Sequence, residues 1–243
     1  MNYFEVMDKA RPLKSPKILM GLFRFSMASF LAGLVLLFIA APFADQFENG
    51  PMLESGLLTA VLISAVLAVG RRRRVFWLAV LMMTPTVISK WFNHFWPDAV
   101  SPVWFLTSIL FFIIFIIFQL MRFILLAPRV NSEILCAGIS TYLLLGLLWA
   151  FSYMLVAQLV PGAFFFDGRI EGAQEMTSFT SVYFSFITLS TVGYGDITPV
   201  ASVARMLAAA EAMTGTLFMA LLISRLVSMY SKQAPIKEHA DKN

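Results

Sequence analysis

The chain predicts an all-α membrane protein: six membrane-spanning helices, with a short re-entrant helix and loop between the fifth and the sixth. Three observations carry that prediction. Of 243 residues, 59% are apolar and only 13% charged, with a mean hydropathy of +0.80, where a soluble domain has about 25% charged and about 45–50% apolar residues. Six apolar runs approach or exceed the roughly 20 residues that a helix needs to cross a bilayer. Lysine and arginine are also distributed unevenly among the segments between those runs.

The runs lie at about 25–44, 54–70, 75–95, 102–127, 134–160 and 200–229. The first follows a basic leader of about 24 residues, too long for a secretory signal, so the run is expected to remain as a span. The second is short and stops at Arg71, Arg72, Arg73 and Arg74. These four consecutive arginines would surround a helix instead of lining one face, so they read as a cytoplasmic stop. They are also a candidate contact for anionic lipid, at about 1 kcal/mol each. The third run contains Pro85, which lacks a backbone donor and is expected to kink it. Trp91, Phe92, Phe95, Trp96 and Trp104 crowd one end of runs three and four, as an interfacial aromatic belt does. Residues 177–189 are apolar but too short to cross, and are therefore re-entrant. The expected organisation is a cytoplasmic segment 1–24, a four-span domain 25–130, a further domain 131–231 and a polar tail 232–243. That tail is too short for a nucleotide- or calcium-binding domain.

Loop charge sets the orientation. With both termini in the cytoplasm, the inner side carries Lys9, Arg11, Lys14, Lys17, Arg24, Arg71 to Arg74, Arg122, Arg129, Arg225, Lys232, Lys237 and Lys242. Only Lys90, Arg169 and Arg205 fall outside. That bias is the positive-inside pattern of a multi-pass cell-membrane protein. It also accounts for the formal charge of +4 and pI of about 9.3 without a nucleic-acid partner. Cys136 is the only cysteine and His94 and His239 lie far apart, so neither a disulfide framework nor a metal cluster is expected. Cys136 reads as a small buried hydrophobe. No Ser/His/Asp set, phosphate loop or metal-binding helix is present to support enzymatic activity.

Directly after the re-entrant stretch come Thr191, Val192, Gly193, Tyr194, Gly195 and Asp196. The sequence TVGYG followed by Asp resembles the selectivity filter of tetrameric potassium channels, and the resemblance extends over roughly residues 133–231. It implies that the carbonyls of Thr191, Val192, Gly193 and Tyr194, with the Thr191 hydroxyl, replace the hydration shell of a potassium ion. Gly193 and Gly195 would supply backbone conformations that residues with a Cβ avoid. The chain has one such motif and no internal repeat, so the resemblance implies four copies around one pore, a homotetramer. Potassium is the permeant ion, and no cofactor is implied.

The resemblance also assigns supporting roles. In the family, the aspartate matching Asp196 commonly bonds a tryptophan of the pore helix. Here Tyr183 and Phe184 replace the usual tryptophan pair, and Tyr183 is placed to donate its hydroxyl to Asp196 with altered geometry. Ile187 stands where some relatives carry an acid. Gly215 matches a hinge glycine, with close packing against the pore helix as the alternative. Thr216, Met219, Ile223 and Val227 share a face at helical spacing and would line the inner cavity and gate. Glu211 is the one carboxylate well inside an apolar run, and such a group needs a partner or water. Three readings stay open: a hydrogen bond to Thr188 or a neighbouring hydroxyl, a titrating group coupling pH to the filter, or a carboxylate facing an aqueous cavity. Asp45, Glu48, Glu54, Asp98, Asp167, Glu171, Glu175 and Asp196 fall on the outer side, where acids near the mouth would concentrate cations and the more distant ones read as a plain solvated loop.

Six spans with a filter between the last two resemble voltage-gated potassium channels, whose fourth span carries arginines at every third position. Here the fourth run contains only Arg122, with Arg129 just beyond, so the charge ladder is missing. The expected function is passive, potassium-selective conduction with weak or no voltage gating. The alternatives are a non-conducting or regulatory channel subunit, or a component of a potassium uptake system.

Overall fold

The computed structural model describes residues 17–44, 50–70, 72–96, 101–128, 131–167 and 175–233. Seven helices and one two-stranded sheet lie within them: α1 (Lys17–Ala44), α2 (Gly50–Val69), α3 (Arg73–Phe95), α4 (Pro102–Leu126), α5 (Ser132–Leu159), β1 (Phe164–Phe166), α6 (Ser178–Leu189), β2 (Ile197–Pro199) and α7 (Ser202–Gln233). Among the described residues, five helices are long and apolar enough to cross a membrane, within α2, α3, α4, α5 and α7. In α1 the apolar stretch is Met27–Ala40, and α6 is the short apolar helix expected as re-entrant. The fold is that of an all-α, multi-pass membrane protein.

Helix boundaries differ from the apolar runs where polar residues continue a helix. α1 starts at Lys17, directly after Pro16, so residues 17–24 are helical and not part of an irregular leader. α3 takes in Arg73 and Arg74 as its first turn and runs unbroken across Pro85. Arg71, Arg129 and the tail beyond Gln233 lie outside the described residues. α4 begins with Pro102 behind the N-cap Ser101, whose hydroxyl accepts from the Val103 amide at 3.4 Å. Proline is tolerated there because a first-turn N–H has no helical partner. Asn131 caps α5 in the same way, accepting from the Ile134 amide at 3.0 Å.

Apolar periodicity packs the helices. In α4, Phe105, Ile109, Phe112, Ile116 and Leu120 are all buried, one stripe at three- and four-residue spacing, while Phe111 and Phe118 on the opposite side stay exposed. That stripe fills the centre of the four-span domain, in which α1 packs on α2, α2 on α3 and α3 on α4. The domain joins the rest of the chain through α5, which contacts α4 and α1. Cys136 on α5 is half-buried against this core. Of the aromatic belt, Phe95, Trp96 and Trp104 are exposed, whereas Trp91 turns its indole N–H to the Thr59 hydroxyl at 3.1 Å and joins α3 to α2.

α6 is wedged between α5 and α7. Gly146 of α5 lets the Phe186 ring of α6 approach so closely that a Cβ would overlap it. The ring cannot swing away freely, because it packs edge-on against Phe38 of α1 with centroids 4.8 Å apart. Gly146→Val should therefore displace α6 and destabilise the protein by about 1–3 kcal/mol, the usual cost of overpacking. A lowered melting temperature of the purified protein in detergent checks this, and an unchanged one would mean that the ring moves at no cost.

Candidate functional site

The site grows from the end of α6. Thr177 caps its start, its hydroxyl accepting from the Thr180 amide at 3.3 Å, and twelve residues later the helix stops at Leu189. It stops because the next peptides turn their N–H groups back onto its own last carbonyls. The Thr191 amide donates to the Thr188 carbonyl at 2.9 Å, and the Val192 and Gly193 amides both donate to the Ile187 carbonyl, at 2.8 and 3.1 Å. In a trans peptide the C=O of the preceding residue points opposite to the N–H. Three amides aimed at the helix end therefore aim the carbonyls of Ser190, Thr191 and Val192 away from it.

Backbone hand alternates along this segment, with φ of +59° at Thr191, +54° at Gly193 and +77° at Gly195. Thr191 is the only non-glycine residue with positive φ among the described residues. Such conformations are costly for a residue with a Cβ and persist only where the surroundings impose them. Thr191, Val192, Gly193, Tyr194 and Gly195 are all exposed in the single chain, Tyr194 at 70%. The result is a strand of non-helical backbone, anchored behind by its amides, with an open face of carbonyl oxygens.

Past Gly195, the chain is tied down. Asp196 accepts from the Tyr183 hydroxyl at 2.5 Å through one carboxylate oxygen and from the Ile197 amide at 3.0 Å through the other. Its carbonyl accepts from the Asp167 amide at 2.9 Å. β2 then pairs antiparallel with β1, Phe165 opposite Thr198. Behind this strand lies an apolar cluster of Tyr153, Phe164, Phe184, Ile187, Ile197 and Ala204, with the Phe184 ring 4.8 Å from Tyr153 and 5.7 Å from Phe164. The sequence contains no carboxylate in this cluster to pair with Asp196. The small sheet carries no apolar alternation and was not legible beforehand.

Glu211 is fully buried in the single chain, which rules out a carboxylate open to an aqueous cavity on its own chain's surface. Of the hydrogen-bonded reading, Thr188 or a neighbouring hydroxyl, the structure gives the neighbouring hydroxyls. One carboxyl oxygen is 2.5 Å from the Ser185 hydroxyl and the other bonds the Tyr153 hydroxyl. Ser185 also lies 2.7 Å from the Gly146 carbonyl. Ser185 and Thr188 lie about one turn apart on the same side of α6, and it is Ser185 that stands level with both Glu211 of α7 and Gly146 of α5. A serine has a single hydroxyl hydrogen, so it cannot donate to both the carbonyl and the carboxyl. A hydrogen on the carboxyl would serve every contact: Tyr153 to Glu211, Glu211 to Ser185, and Ser185 to Gly146. Tyr153 and Ser185 were missed in the sequence, although a buried intramembrane carboxyl demands partners of this kind.

One turn further along, α7 crosses the C-terminus of α6. A Cβ at Gly215 would overlap the Leu189 carbonyl oxygen, so the glycine permits a close helix crossing, and α7 is continuous through it. Thr216, Met219, Ile223 and Val227 are exposed in the single chain, but so are Met206, Met213 and Leu217, and exposure alone does not single out one face. Two further residues acquire unforeseen roles. Glu54 is no free outer-loop acid: it sits on α2, 3.3 Å from Lys90 of α3 and 3.1 Å from the Ser178 hydroxyl at the start of α6. Arg225 of α7 donates to the Leu125 and Ala127 carbonyls at the end of α4, at 2.7 and 2.8 Å. Asp45, Glu48, Asp98 and Glu171 lie outside the described residues.

Residues 139–232 match the family described as Ion channel. The Two-pore potassium channel 4 of Arabidopsis thaliana is 39% identical over 64 residues, which cover 26% of this chain and 22% of that protein. Protein LctB of Bacillus caldotenax is 34% identical over 101 residues, 41% of this chain and 74% of that protein. The Voltage-gated potassium channel regulatory subunit KCNG1 of Homo sapiens is 28% identical over 88 residues, 36% of this chain and 17% of that protein. The chain thus spans about a fifth of the plant and human relatives. No solved structure matches it.

The hydrogen count at Glu211 separates two substitutions. Glu211→Gln keeps an acceptor for Tyr153 and supplies a permanent N–H toward Ser185, and should leave thermal stability close to that of the parent. Glu211→Leu strands two buried hydroxyls and should cost about 1–3 kcal/mol. Melting of the two purified variants side by side tests this, and equal losses would mean that the carboxyl's shape matters more than its hydrogen bonds.

Proposed function

This chain belongs to the potassium channel family of ion channels, and from that premise we propose that it conducts potassium passively and selectively through a pore built by four copies. The observation that carries the proposal is the strand Thr191–Gly195, whose amides anchor it to the end of α6 while the carbonyls of Thr191 and Val192 point the other way. A potassium ion sheds its water only where closely placed oxygens replace it, and a ring of such carbonyls does so. One chain contributes a quarter of that ring. Irregular backbone at membrane depth is stable only when buried in protein or lining a water-filled path, and this strand is exposed in the single chain. Four-fold assembly would bury its back and leave its carbonyls on the axis.

In this reading Tyr183 holds Asp196 at the outer mouth, Phe184 packs the filter from behind, and Glu211 with Ser185 and Tyr153 fixes the pore helix. Thr188 contributes its carbonyl to the Thr191 amide. Gly215 sets the depth at which α7 crosses, and Thr216, Met219, Ile223 and Val227 line the path below the filter. Both termini are cytoplasmic and the protein resides in the cell membrane. Voltage dependence is weak, because α4 presents an apolar stripe with Arg122 as its single basic residue.

A second reading, a regulatory subunit that joins other channel chains, has one observation in its favour: the similarity to KCNG1, whose name describes such a subunit. The two part in a planar bilayer holding only this protein, with potassium on one side and sodium on the other. Sweeping about ±100 mV probes gating, since each elementary charge moved across the field is worth about 2.3 kcal/mol per 100 mV. The proposal expects a reversal potential near the potassium limit and an open probability almost independent of voltage. A reversal near zero would refute selectivity. Absence of current, with cross-linking that never proceeds to a four-chain product, would favour the regulatory subunit.

A further inference from the structure

A cavity of about 550 Å³ opens where α2, α3, α4 and α5 meet, at the end of the molecule away from the filter. Its position follows from α5, which starts at this cavity and runs 28 residues to Leu159, or about 42 Å at a rise of about 1.5 Å per residue. The filter strand and the β1–β2 sheet lie toward the far end of that helix. By the charge pattern of the loops, the cavity end is the cytoplasmic one. Its walls are largely apolar, with Val69, Phe123 and Leu126 among them, and its polar members include Arg72, Arg122 and Gln119. Neither guanidinium has a hydrogen bond or ion pair among the described residues, whereas Glu133 on the α5 rim already has an interaction of its own.

We propose that this cavity is a binding site for an anionic phospholipid of the inner leaflet, its phosphate between Arg72 and Arg122 and its acyl chains against the apolar wall. The two halves of the lining argue together. A guanidinium presents a planar fork of donors that matches phosphate oxygens, and two arginines line this one cavity. An apolar wall behind that pair suits an acyl chain and gives nothing to a free inorganic anion. Basic residues beside a span attract anionic leaflets in any case. What distinguishes this site is a pocket that uses Arg72 and not the neighbouring Arg73 or Arg74, which do not line it.

The site also touches the conduction machinery, a consequence that rests on the channel reading, as the binding itself does not. Leu126 and Ala127 form part of the wall, and the carbonyls of Leu125 and Ala127 are the ones that Arg225 of α7 grips. A lipid seated here therefore presses on the turn that holds the inner end of the last helix.

Native mass spectrometry of the full-length protein in detergent tests the proposal, with phosphatidylglycerol, phosphatidylcholine and inorganic phosphate as probes. Phosphatidylglycerol should bind in preference to phosphatidylcholine and should not be displaced by millimolar phosphate. The double variant Arg72→Gln/Arg122→Gln should bind it roughly 30-fold more weakly, as expected for the loss of two basic contacts. Arg73→Gln/Arg74→Gln should bind it like the parent. Equal weakening by both pairs would overturn the site in favour of a diffuse basic surface. Unchanged binding in the first pair, or full competition by inorganic phosphate, would overturn it outright. Because this readout needs no current, its failure is distinct from failure of the channel reading.

Discussion

The strand that follows α6 depends on one carbonyl group. The Ile187 oxygen, at the end of α6, accepts the amides of both Val192 and Gly193. Main-chain donors at membrane depth must be satisfied by protein, since lipid offers no acceptor. Satisfying them at the helix terminus fixes the strand against the helix and commits the peptide carbonyls to the opposite side. The left-handed φ values at Thr191, Gly193 and Gly195 are the geometric cost of that arrangement. Glycine meets it cheaply at two of the three positions.

A strand hung on a helix end is only as steady as the helix. α6 is accordingly held on every side by contacts that leave little room to adjust. Gly146 and Gly215 bring the backbones of α5 and α7 closer than any side chain would allow. The buried set Tyr153, Glu211 and Ser185 links all three helices through hydrogen bonds, and Ser185 reaches the Gly146 carbonyl at the point of closest approach. A buried polar network of this sort is costly when half-satisfied and rigid when complete.

Apolar run length made the helices legible in the sequence, and the six-residue motif made the family legible. Both are local signals. Helix ends were less legible, because Lys17 and Arg73 continue a helix that hydropathy says has ended. The partners of Glu211 were hidden for a different reason: Tyr153 lies 58 residues away and Ser185 lies 26 away, and no periodicity relates three helices to one another. Thr188 was the natural candidate from its place near the end of α6, but the bonding hydroxyl is set by which turn of α6 stands level with Glu211, and that turn carries Ser185. Glu54 looked like one of many outer acids, and only the packing of α2 beside the start of α6 reveals its partners. The β1–β2 pair, three residues on each strand, is too short to announce itself.

The first four helices, featureless in sequence, gain a role from where their polar ties fall. Along most of their length the contacts with α5 are apolar. Polar ties add direction to that packing at each end. Glu54 bonds the start of α6 through Ser178, while Arg225 of α7 bonds the end of α4 through two carbonyls. In the proposed channel, the first tie reaches the helix that would carry the filter, and the second reaches the helix that would open below it. The four-span domain is therefore fastened to the two moving or conducting parts of the proposed pore at opposite faces of the membrane. In the proposed channel, a displacement of that domain at either face would have a direct route to one of them through these bonds.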